Sequence, residues 1–406
     1  MNKFGLLGKK LGHSYSCEIH SYLADYEYKL YEKNEDELDW FMKNFPLDGM
    51  NVTIPYKKDV IKYCDTLSDT AKKTGSVNTI LVKDRKMQGY NTDYYGFMYM
   101  MNKGGIDVNG KKVLLLGSGG ASQTLRVCLK DMGAREVIII SRGGENNYGN
   151  LNLHADAEII VNSTPVGMYP NVGVSPVDIT LFPNLEGVAD IIYNPSRTKL
   201  LLDAEKLKIP CINGLSMLVA QAKQAYEIFT GSVADNDVID KITDSMAKKM
   251  RNIILIGMPG CGKSSIGKII AQQCNREFAD CDEQIEIFAK KSIRQIFDES
   301  GEDGFRKIET EVLSRICKKS GLVISTGGGC VTQKQNYDIL HQNGVIVWVE
   351  RDIGLLTDEN RPLSEKFGVE ILYKQRKKMY ADFADAAVSN NGAVFDAVNK
   401  ITEAVL

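Results

Sequence analysis

The chain has 406 residues, of which 43% are hydrophobic and 25% charged, and its formal net charge at pH 7 is -2. This balance is typical of a globular protein with about two or three domains, and gives no indication of binding to nucleic acid or an anionic membrane. No apolar run of about 18 residues predicts a membrane-spanning helix. The nine cysteines include no C-x-x-C pair, and the N-terminus lacks a secretion signal, so we expect reduced thiols in the cytoplasm.

Predicted strands and helices alternate along the whole chain, which indicates an α/β fold with parallel sheets covered on both faces. One block runs from Met1 to about Met101, and a second from about Asn102 to Gly214. A long helical pattern then ends at Gly231, and the polar stretch that follows is interpreted as a charged, partly helical linker. The predicted boundaries are therefore 1–101 plus 215–231, 102–214, a linker at 232–250, and 251–406.

The sequence "KKVLLLGSGGASQTLRVCLKDMGAREVIIISRGG" contains a strand, a glycine turn, a helix and a second strand. In a dinucleotide-binding unit, Gly117 would make the tight turn and Gly119 would let the backbone approach a pyrophosphate at the helix N-terminus. Ser122 stands where that fingerprint has a third Gly or Ala. The alternative is a strand-to-helix turn that uses glycine for its geometry alone.

The end of the second strand carries Ser141 and Arg142, where an NAD site would have an acidic residue for the ribose hydroxyl. A guanidinium suits a 2′-phosphate, so the sequence favours NADP over NAD. The alternative interpretation of Arg142 is an ordinary solvated surface arginine.

Hydride transfer to a ketone also needs a proton donor, and Lys57 in "NVTIPYK" with Asp93 in "GYNTD" would form a suitable acid–base pair. Spacing alone does not distinguish this pair from solvated charges. The resemblance to a known family adds to it. Residues 1–231 resemble shikimate dehydrogenase through "GHSYSCEIH", "NVTIPYK", "GSVNTI", "GYNTD", "GSGGAS", "NSTPVGM", "DIIYNPSRTKLL" and "GLSMLVAQAKQAYEIFTG", in the family's order.

The resemblance implies that Lys57 and Asp93 are catalytic and that 102–214 is a Rossmann domain for NADP(H), with 1–101 plus 215–231 as the substrate-binding domain. It implies Ser14 and Ser16 on the substrate carboxylate, and Thr53, Asn78 and Gln221 around the ring hydroxyls. The implied cofactor-binding positions are Gly117, Ser118, Gly119, Gly120, Ala121, Ser141, Arg142 and Gly214. The chain departs from the family after Arg142, where a helix and a second basic residue are missing.

A second glycine loop, "GMPGCGKS" at 257–264, fits the phosphate-binding pattern G-x-x-x-x-G-K-[ST] after the apolar strand "NIILI". Backbone N–H groups of such a loop surround the phosphates of ATP, Lys263 reaches the terminal ones, and the Ser264 hydroxyl binds Mg²⁺. The alternative is a plain turn. The expected nucleotide-binding positions are Gly257, Gly260, Cys261, Gly262, Lys263, Ser264 and Ser265.

Residues 252–406 resemble shikimate kinase, a P-loop nucleoside-monophosphate-kinase-like α/β domain, through "FADCDEQIE", "IFDESGEDGFRKIE", "STGGG", "RPLS" and "RKKMYADFAD". The resemblance implies that Asp282 contacts the acceptor hydroxyl as its base and that Asp280 holds the magnesium hydration sphere. It implies Arg306 and Arg376 on the shikimate carboxylate, Gly327, Gly328 and Gly329 against the substrate, and Arg361 on the lid beside the transferring phosphoryl group. Without the family, each charge would be read as a solvated helix face. The lid region is shorter than the family's, and the arginine that stacks on adenine has no clear counterpart.

Together these resemblances imply a bifunctional enzyme that reduces 3-dehydroshikimate to shikimate with NADPH and phosphorylates shikimate with ATP and Mg²⁺. Its expected partners are small molecules, not nucleic acid or membrane. The alternative is a quinate/shikimate dehydrogenase with a weak or regulatory kinase-like domain. Cys261, Cys281 and Cys330 lie in kinase motifs. They are interpreted either as small packing residues or as readily oxidised thiols of a positively charged site.

Overall fold

The computed structural model of the protein describes residues 2–12, 14–356 and 368–405. The chain forms two compact units. The first comprises Met1–Met168, Val174–Tyr193 and Asp203–Ser245, and the second comprises Tyr169–Gly173, Asn194–Leu202 and Met246–Leu406. Two short pieces of the predicted cofactor domain thus group with the second unit, and most of the predicted linker groups with the first.

The first sheet belongs to the first unit. Its strands are β1 (Lys3–Gly8), β2 (Glu27–Glu32), β3 (Gly49–Val52), β4 (Thr66–Leu67), β5 (Thr79–Lys83) and β6 (Lys86–Tyr90), in the order β2-β1-β3-β5-β6-β4. The sheet is mixed, because β5 runs antiparallel to both β3 and β6. Asp84 and Arg85 join β5 to β6 with positive φ angles of 52° and 64°. A two-residue turn permits only antiparallel strands, so the all-parallel prediction does not hold here.

Four helices accompany this sheet: α1 (Ser16–Leu23), α2 (Glu35–Lys43), α3 (Asp69–Thr74) and α4 (Asp93–Lys103). Helix α2 begins with a capping box in which Asn34 and Glu37 satisfy each other's backbone groups. The core of this region lies under β1 and β3 and includes the fully buried Tyr56 and Met50. The loops that follow β1 and β3 leave the sheet side by side, because Leu7 pairs with Val52 in parallel register.

The second sheet of the first unit is entirely parallel, as predicted. It contains β7 (Lys112–Leu116), β8 (Glu136–Ile140), β9 (Ile159–Asn162), β10 (Gly187–Asp190) and β11 (Cys211–Ile212), in the order β11-β10-β9-β7-β8. Helix α5 (Ser122–Asp131) follows β7, and α6 (Lys199–Lys206) follows β10. Between β8 and β9 the described chain has only a 3-10 turn, Leu151–His154, in the stretch where the sequence lacks the family's helix.

Helix α7 (Leu215–Thr230) and the part of α8 (Asp237–Met250) up to Ser245 complete the first unit. Helix α7 ends at Gly231, with φ +70°, as the sequence predicts. It packs closely on α4 because Gly96 has no side chain: a Cβ there would lie 2.6 Å from the Met217 carbonyl oxygen. Helix α8 occupies most of the predicted linker, and its Asp240 accepts hydrogen bonds from Tyr99 and Lys103 of α4.

The second unit is built on a third sheet, also entirely parallel. Its strands are β12 (Asn252–Ile256), β13 (Phe278–Asp280), β14 (Val323–Ser325), β15 (Gly344–Glu350) and β16 (Ala386–Ser389), in the order β13-β14-β12-β15-β16. The described helices are α9 (Lys263–Gln273), α10 (Cys281–Ala289), α11 (Ile293–Ile316), α12 (Asn336–His341), α13 (Val369–Phe383) and α14 (Val394–Val405). Helix α11 is kinked at Gly301, and the central strand β12 is buried throughout with an apolar core on each face.

Across the part of the chain that the structure describes, no helix is both long enough and apolar enough to cross a membrane.

Candidate active sites

Lys57 and Asp93 form a largely buried ion pair in the first unit. The Lys57 ammonium donates to Oδ2 of Asp93 at 2.6 Å, and the two side chains are 15% and 9% exposed. Asp93 is the first residue of α4, where the helix dipole favours a carboxylate. Its Oδ1 accepts a hydrogen bond from Nδ2 of Asn78 at 3.0 Å. The two residues are therefore in contact, as the sequence predicts, and each carboxylate oxygen of Asp93 accepts a hydrogen bond.

Asn78 and Gln221 join this pair through Thr92. Asn78 Oδ1 accepts from the Thr92 backbone N–H at 2.7 Å, and the Thr92 hydroxyl lies 3.4 Å from Oε1 of Gln221. Ser14 and Ser16 lie in contact, with a 3.1 Å hydrogen bond between their hydroxyls, on the loop after β1. Thr53 follows β3, which neighbours β1. Thr53 and Asn78 thus lie at neighbouring strand ends, the edge at which α/β sheets bind ligands. Ser16 begins α1, and Gln221 lies on α7. Their individual roles stay predictions.

The first glycine loop connects β7 to α5 and has open space in front of it. Gly117 has φ +101°, and a Cβ there would lie 2.9 Å from Cγ2 of Thr164. A Cβ on Gly119 would meet no described atom within 4 Å, and one on Gly120 would meet only Ile54 at 3.7 Å. Ser122 Oγ donates to the Gly117 carbonyl at 2.7 Å and closes the loop. An open glycine loop at a helix N-terminus fits the pyrophosphate of a dinucleotide.

The loop after β8 carries the residues expected to select NADP. Arg142 is exposed, and the Ser141 backbone N–H donates to the Asn146 carbonyl at 3.1 Å. Burial raises the pKa of Tyr148, and the positive charge of Arg142 opposes this rise, so the guanidinium lies within electrostatic range of that ring. Gly214 caps α7, and a Cβ there would overlap the Ile191 carbonyl oxygen. Packing alone thus requires glycine at this position, whose role as a cofactor contact stays a prediction.

The second glycine loop joins β12 to α9 and has backbone angles that favour glycine. Gly257, Gly260 and Gly262 have φ angles of 143°, 79° and 99°. Lys263 is buried, and its ammonium donates to the carbonyls of Gly257 and Met258, both at 3.0 Å. The lysine is therefore held over the loop that it would serve, which fits the phosphates of a nucleoside triphosphate. Cys261 is buried in this loop and Ser265 is exposed on α9.

Ser264 and Asp280 meet beside this loop. The Ser264 hydroxyl donates to Oδ2 of Asp280 at 2.6 Å and lies 3.1 Å from the Ser325 hydroxyl. Among the residues that the structure describes, no cluster of His, Cys, Asp or Glu forms a metal site by itself. Mg²⁺ commonly binds one or two protein oxygens together with water and substrate phosphates. The hydroxyl and carboxylate here fit that mode of binding.

The expected acceptor residues of the second unit surround the glycines after β14. A Cβ on Gly327 would lie 3.1 Å from Oδ1 of Asp282, and one on Gly329 would overlap the Arg306 guanidinium. The Gly328 carbonyl accepts hydrogen bonds from Nη1 of Arg376 at 3.2 Å and from the Tyr380 hydroxyl. On its other side, a Cβ on Gly328 would lie 2.5 Å from Cδ of Pro259 in the phosphate loop. The structure therefore brings Asp282, Arg306 and Arg376 to the same glycine segment.

Glu309 belongs to this cluster, although the sequence interpretation assigned it no role. Its carboxylate is fully buried and accepts from Nη1 of Arg306 at 2.7 Å, whereas Oε1 has no hydrogen-bond partner among the described residues. Oε1 lies 2.5 Å from the position of a Cβ on Gly327. Burial raises the pKa of Glu309, against the opposing charge of Arg306. The available signal was its position three residues after Arg306, on the same face of α11.

The interpretation of the kinase cysteines as easily oxidised thiols is wrong for two of the three. Burial raises the pKa of Cys330 to about 12 and that of Cys281 well above its ordinary value. A reactive cysteine needs a lowered pKa and access to solvent, and these buried side chains have neither. They are packing residues of the apolar core. Arg361, expected on the lid, lies outside the described residues.

Comparisons with known families find a match in each of the two units. The family model of the shikimate dehydrogenase substrate binding domain matches residues 6–80, and that of shikimate kinase matches residues 259–406. Shikimate dehydrogenase (NADP(+)) of Clostridium beijerinckii is 37% identical over 255 residues, which cover 58% of this chain and 94% of that protein. The counterpart in Caldanaerobacter subterraneus is 34% identical, covering 60% of this chain and 97% of that protein.

Solved structures show the same similarity. A chorismate mutase/shikimate 5-dehydrogenase fusion protein from Clostridium acetobutylicum has a TM-score of 0.58 and 34% identity, and covers 61% of this chain and 99% of its own. Shikimate 5-dehydrogenase from Thermus thermophilus, solved with NADP(H) and shikimate, has a TM-score of 0.55 and 27% identity, covering 60% of this chain and 99% of its own. The chain therefore belongs to the shikimate dehydrogenase family through its N-terminal part, and it continues into a shikimate kinase domain.

Proposed function

We propose that the protein is a bifunctional shikimate-pathway enzyme. Its first unit would reduce 3-dehydroshikimate to shikimate with NADPH, and its second would phosphorylate the 3-hydroxyl of shikimate with ATP. The observation that supports the first step best is the largely buried Lys57–Asp93 pair, which lies in the same unit as an open dinucleotide loop. The second step is supported by the phosphate loop and the acceptor cluster in contact through Pro259 and Gly328.

For the reduction, bound NADPH would supply a hydride to the carbonyl carbon. Lys57 holds a proton on Nζ and would deliver it to the carbonyl oxygen as negative charge develops there. Asp93 fixes the direction of the ammonium through the 2.6 Å hydrogen bond, and Asn78 fixes Asp93 in turn. Ser14 and Ser16 would bind the substrate carboxylate, since two adjacent hydroxyls offer short donors to an anion.

For the phosphorylation, bound MgATP would supply the phosphoryl group. Asp282 would orient the acceptor hydroxyl and accept its proton. Arg306 and Arg376, which both contact the glycine segment, would bind the carboxylate of shikimate. Lys263 would turn from its loop carbonyls to the terminal phosphates, where its charge stabilises the transition state.

Product analysis by mass spectrometry tests both steps in one reaction. Incubation with 3-dehydroshikimate, NADPH, ATP and Mg²⁺ is expected to accumulate shikimate 3-phosphate, and omission of ATP is expected to stop the reaction at shikimate. A reaction that stops at shikimate with ATP present would contradict the kinase assignment. Failure to consume NADPH would contradict the dehydrogenase assignment.

Quinate serves as the competing substrate in the reverse assay. We expect kcat/KM for NADP-dependent oxidation to be higher with shikimate than with quinate. A higher value with quinate would contradict the proposed first step and favour a quinate dehydrogenase. We further propose a cytoplasmic location and small-molecule partners alone. All nine cysteines are free, as in a reducing compartment.

A further inference from the structure

A continuous line of hydrogen bonds runs from β2 to the Lys57–Asp93 pair beneath the residues already assigned. We call it the polar relay; its members are Tyr28, Asn51, Thr79, Asn78 and Asp93. At one end Tyr28 packs on α1, whose first residue is Ser16, one of the two serines proposed to bind the substrate carboxylate. At the other end Asp93 is the partner of Lys57 at the reacting carbonyl. The middle members have been given no role so far.

Tyr28 forms the first half of the polar relay. Its phenol hydroxyl donates to Oδ1 of Asn51 at 2.7 Å, and its backbone carbonyl accepts from the thiol of Cys17, the neighbour of Ser16, at 3.7 Å. The ring is stacked on His20 of α1, with centroids 3.9 Å apart. Tyr28 therefore connects the start of α1, where Ser16 lies, to Asn51.

Thr79 forms the second half. It is fully buried, and Oγ1 accepts from Nδ2 of Asn51 at 3.0 Å while donating to Oδ1 of Asn78 at 3.2 Å. Asn78 then donates to Oδ1 of Asp93 at 3.0 Å. In a buried network every polar atom must be paired, so moving one member disturbs its neighbours. The polar relay thus has one preferred arrangement.

We infer that Tyr28 and Thr79 are positioning residues of the dehydrogenase, which fix the distance between the carboxylate-binding serines and the Lys57–Asp93 pair. This inference rests on the proposed dehydrogenase function. A substrate whose carboxylate is bound at Ser16 would then have its reacting ring carbon at a fixed distance from Lys57. Neither Tyr28 nor Thr79 needs to touch the substrate, because each acts through a neighbour that does.

The first test compares Tyr28→Phe with Tyr26→Phe in the full chain. Tyr26 lies next to the same histidine and bonds its Nδ1 at 2.6 Å, but it is not part of the polar relay. We expect Tyr28→Phe to raise the KM for shikimate and its calorimetric dissociation constant about tenfold, with kcat and the KM for NADP changed less than about twofold. Tyr26→Phe is expected to change none of these more than about twofold.

The second test addresses Thr79. Thr79→Val keeps the shape but removes the hydroxyl, and we expect it to lower kcat, since Asn78 and Asp93 lose their support. Thr79→Ser keeps the hydroxyl and should retain wild-type parameters even if the valine variant folds poorly. If the polar relay acts as one element, the double variant Tyr28→Phe/Thr79→Val loses less kcat/KM than the product of the single losses.

Three outcomes would overturn the inference: unchanged shikimate binding in Tyr28→Phe, equal losses in Tyr26→Phe, or fully independent effects of Tyr28 and Thr79. The proposed function itself fails differently, because then the wild-type chain neither binds shikimate in the calorimeter nor reduces NADP with it.

Discussion

The guanidinium of Arg306 occupies the space in which residue 329 would carry a side chain, and it fits only because residue 329 is glycine. The same guanidinium is held by the buried Glu309 at 2.7 Å and by Glu302 at 3.1 Å. An arginine this constrained cannot step aside without breaking a buried ion pair, which is costly. The glycine therefore sets the position of a proposed carboxylate-binding group.

Gly329→Ala tests this relationship. Gly329 has φ -112°, which alanine adopts without strain, so the added methyl acts through Arg306 and not through the backbone. We expect the KM for shikimate in the kinase reaction to rise at least about tenfold, with dehydrogenase activity unchanged. The matched control is Gly392→Ala, where the new Cβ would meet only Oδ2 of Asp396 at 3.7 Å. Steady-state assays of both activities would contradict the assignment if the two variants behaved alike.

Lys57→Ala is expected to lower the kcat of NADP reduction by shikimate about 10²- to 10⁴-fold, since the proton donor is lost. The adjacent Lys58 is exposed, and Lys58→Ala is the matched control with no expected effect. Kinase turnover of the same preparation should stay at the wild-type value, which verifies that the second unit is folded, and unchanged NADP binding verifies that the first unit is folded. A loss smaller than about tenfold in kcat would mean that Lys57 is not the proton donor.

Arg142→Ala is expected to weaken NADP binding about tenfold and to leave NAD binding unchanged, because only NADP has a 2′-phosphate for the guanidinium. Arg142 is exposed, so the difference between wild type and variant should shrink as salt is added. Fluorescence titration with each dinucleotide measures this without turnover. Equal weakening for both cofactors would assign Arg142 to general loop structure.

His20 predicts a pH dependence of stability in the first unit. Burial lowers the pKa of this ring from 6.5 to about 3. Below pH 6.5 the unfolded chain binds a proton that the folded chain does not, so the folded state loses stability as pH falls from 6.5 towards 3. From pH 6.5 to 5 this loss amounts to about 2 kcal/mol. The melting temperature of the first unit should therefore fall as the solution is made more acidic. In His20→Gln this fall should be smaller than in the wild-type chain. Identical pH profiles would contradict the prediction, as would an NMR titration showing the ring charged at pH 5.

Motifs made the local parts of both sites predictable from the sequence. The sequence stretches that contain Lys57, Asp93, the two glycine loops, Asp282 and both acceptor arginines have spacing that is tied to their chemistry. Within the first unit the structure pairs Lys57 with Asp93, and within the second it brings Asp282, Arg306 and Arg376 to one glycine segment. Glu309 was missed because a glutamate on a polar helix usually faces solvent, and only the long-range packing of α11 on the β14 segment buries it. Tyr28 and Thr79 were missed for the same reason, since their partners lie far away along the chain.

The stretch interpreted as a charged, partly helical linker is mostly the helix α8, and the packing of this helix has a signal in the sequence. Ile239, Ile242 and Met246 are buried at spacings of one helical turn, and they mark the apolar face of α8. The many charged residues of this stretch obscure the helical spacing of its apolar residues. The mixed character of the first sheet was harder to foresee, because the two-residue turn between β5 and β6, Asp84 and Arg85, contains neither the glycine nor the asparagine that marks tight hairpins.

The position of Gly328 limits how this kinase can change during evolution. Its carbonyl is held by Arg376 and Tyr380 on the acceptor side, and Pro259 of the phosphate loop fills the space where its side chain would be. A substitution here would disturb the acceptor pocket and the nucleotide loop at once. New acceptor preferences should therefore arise through substitutions of side chains on α11 and α13. The glycine segment should stay unchanged, because its contacts with the acceptor residues and with the phosphate loop both require glycine.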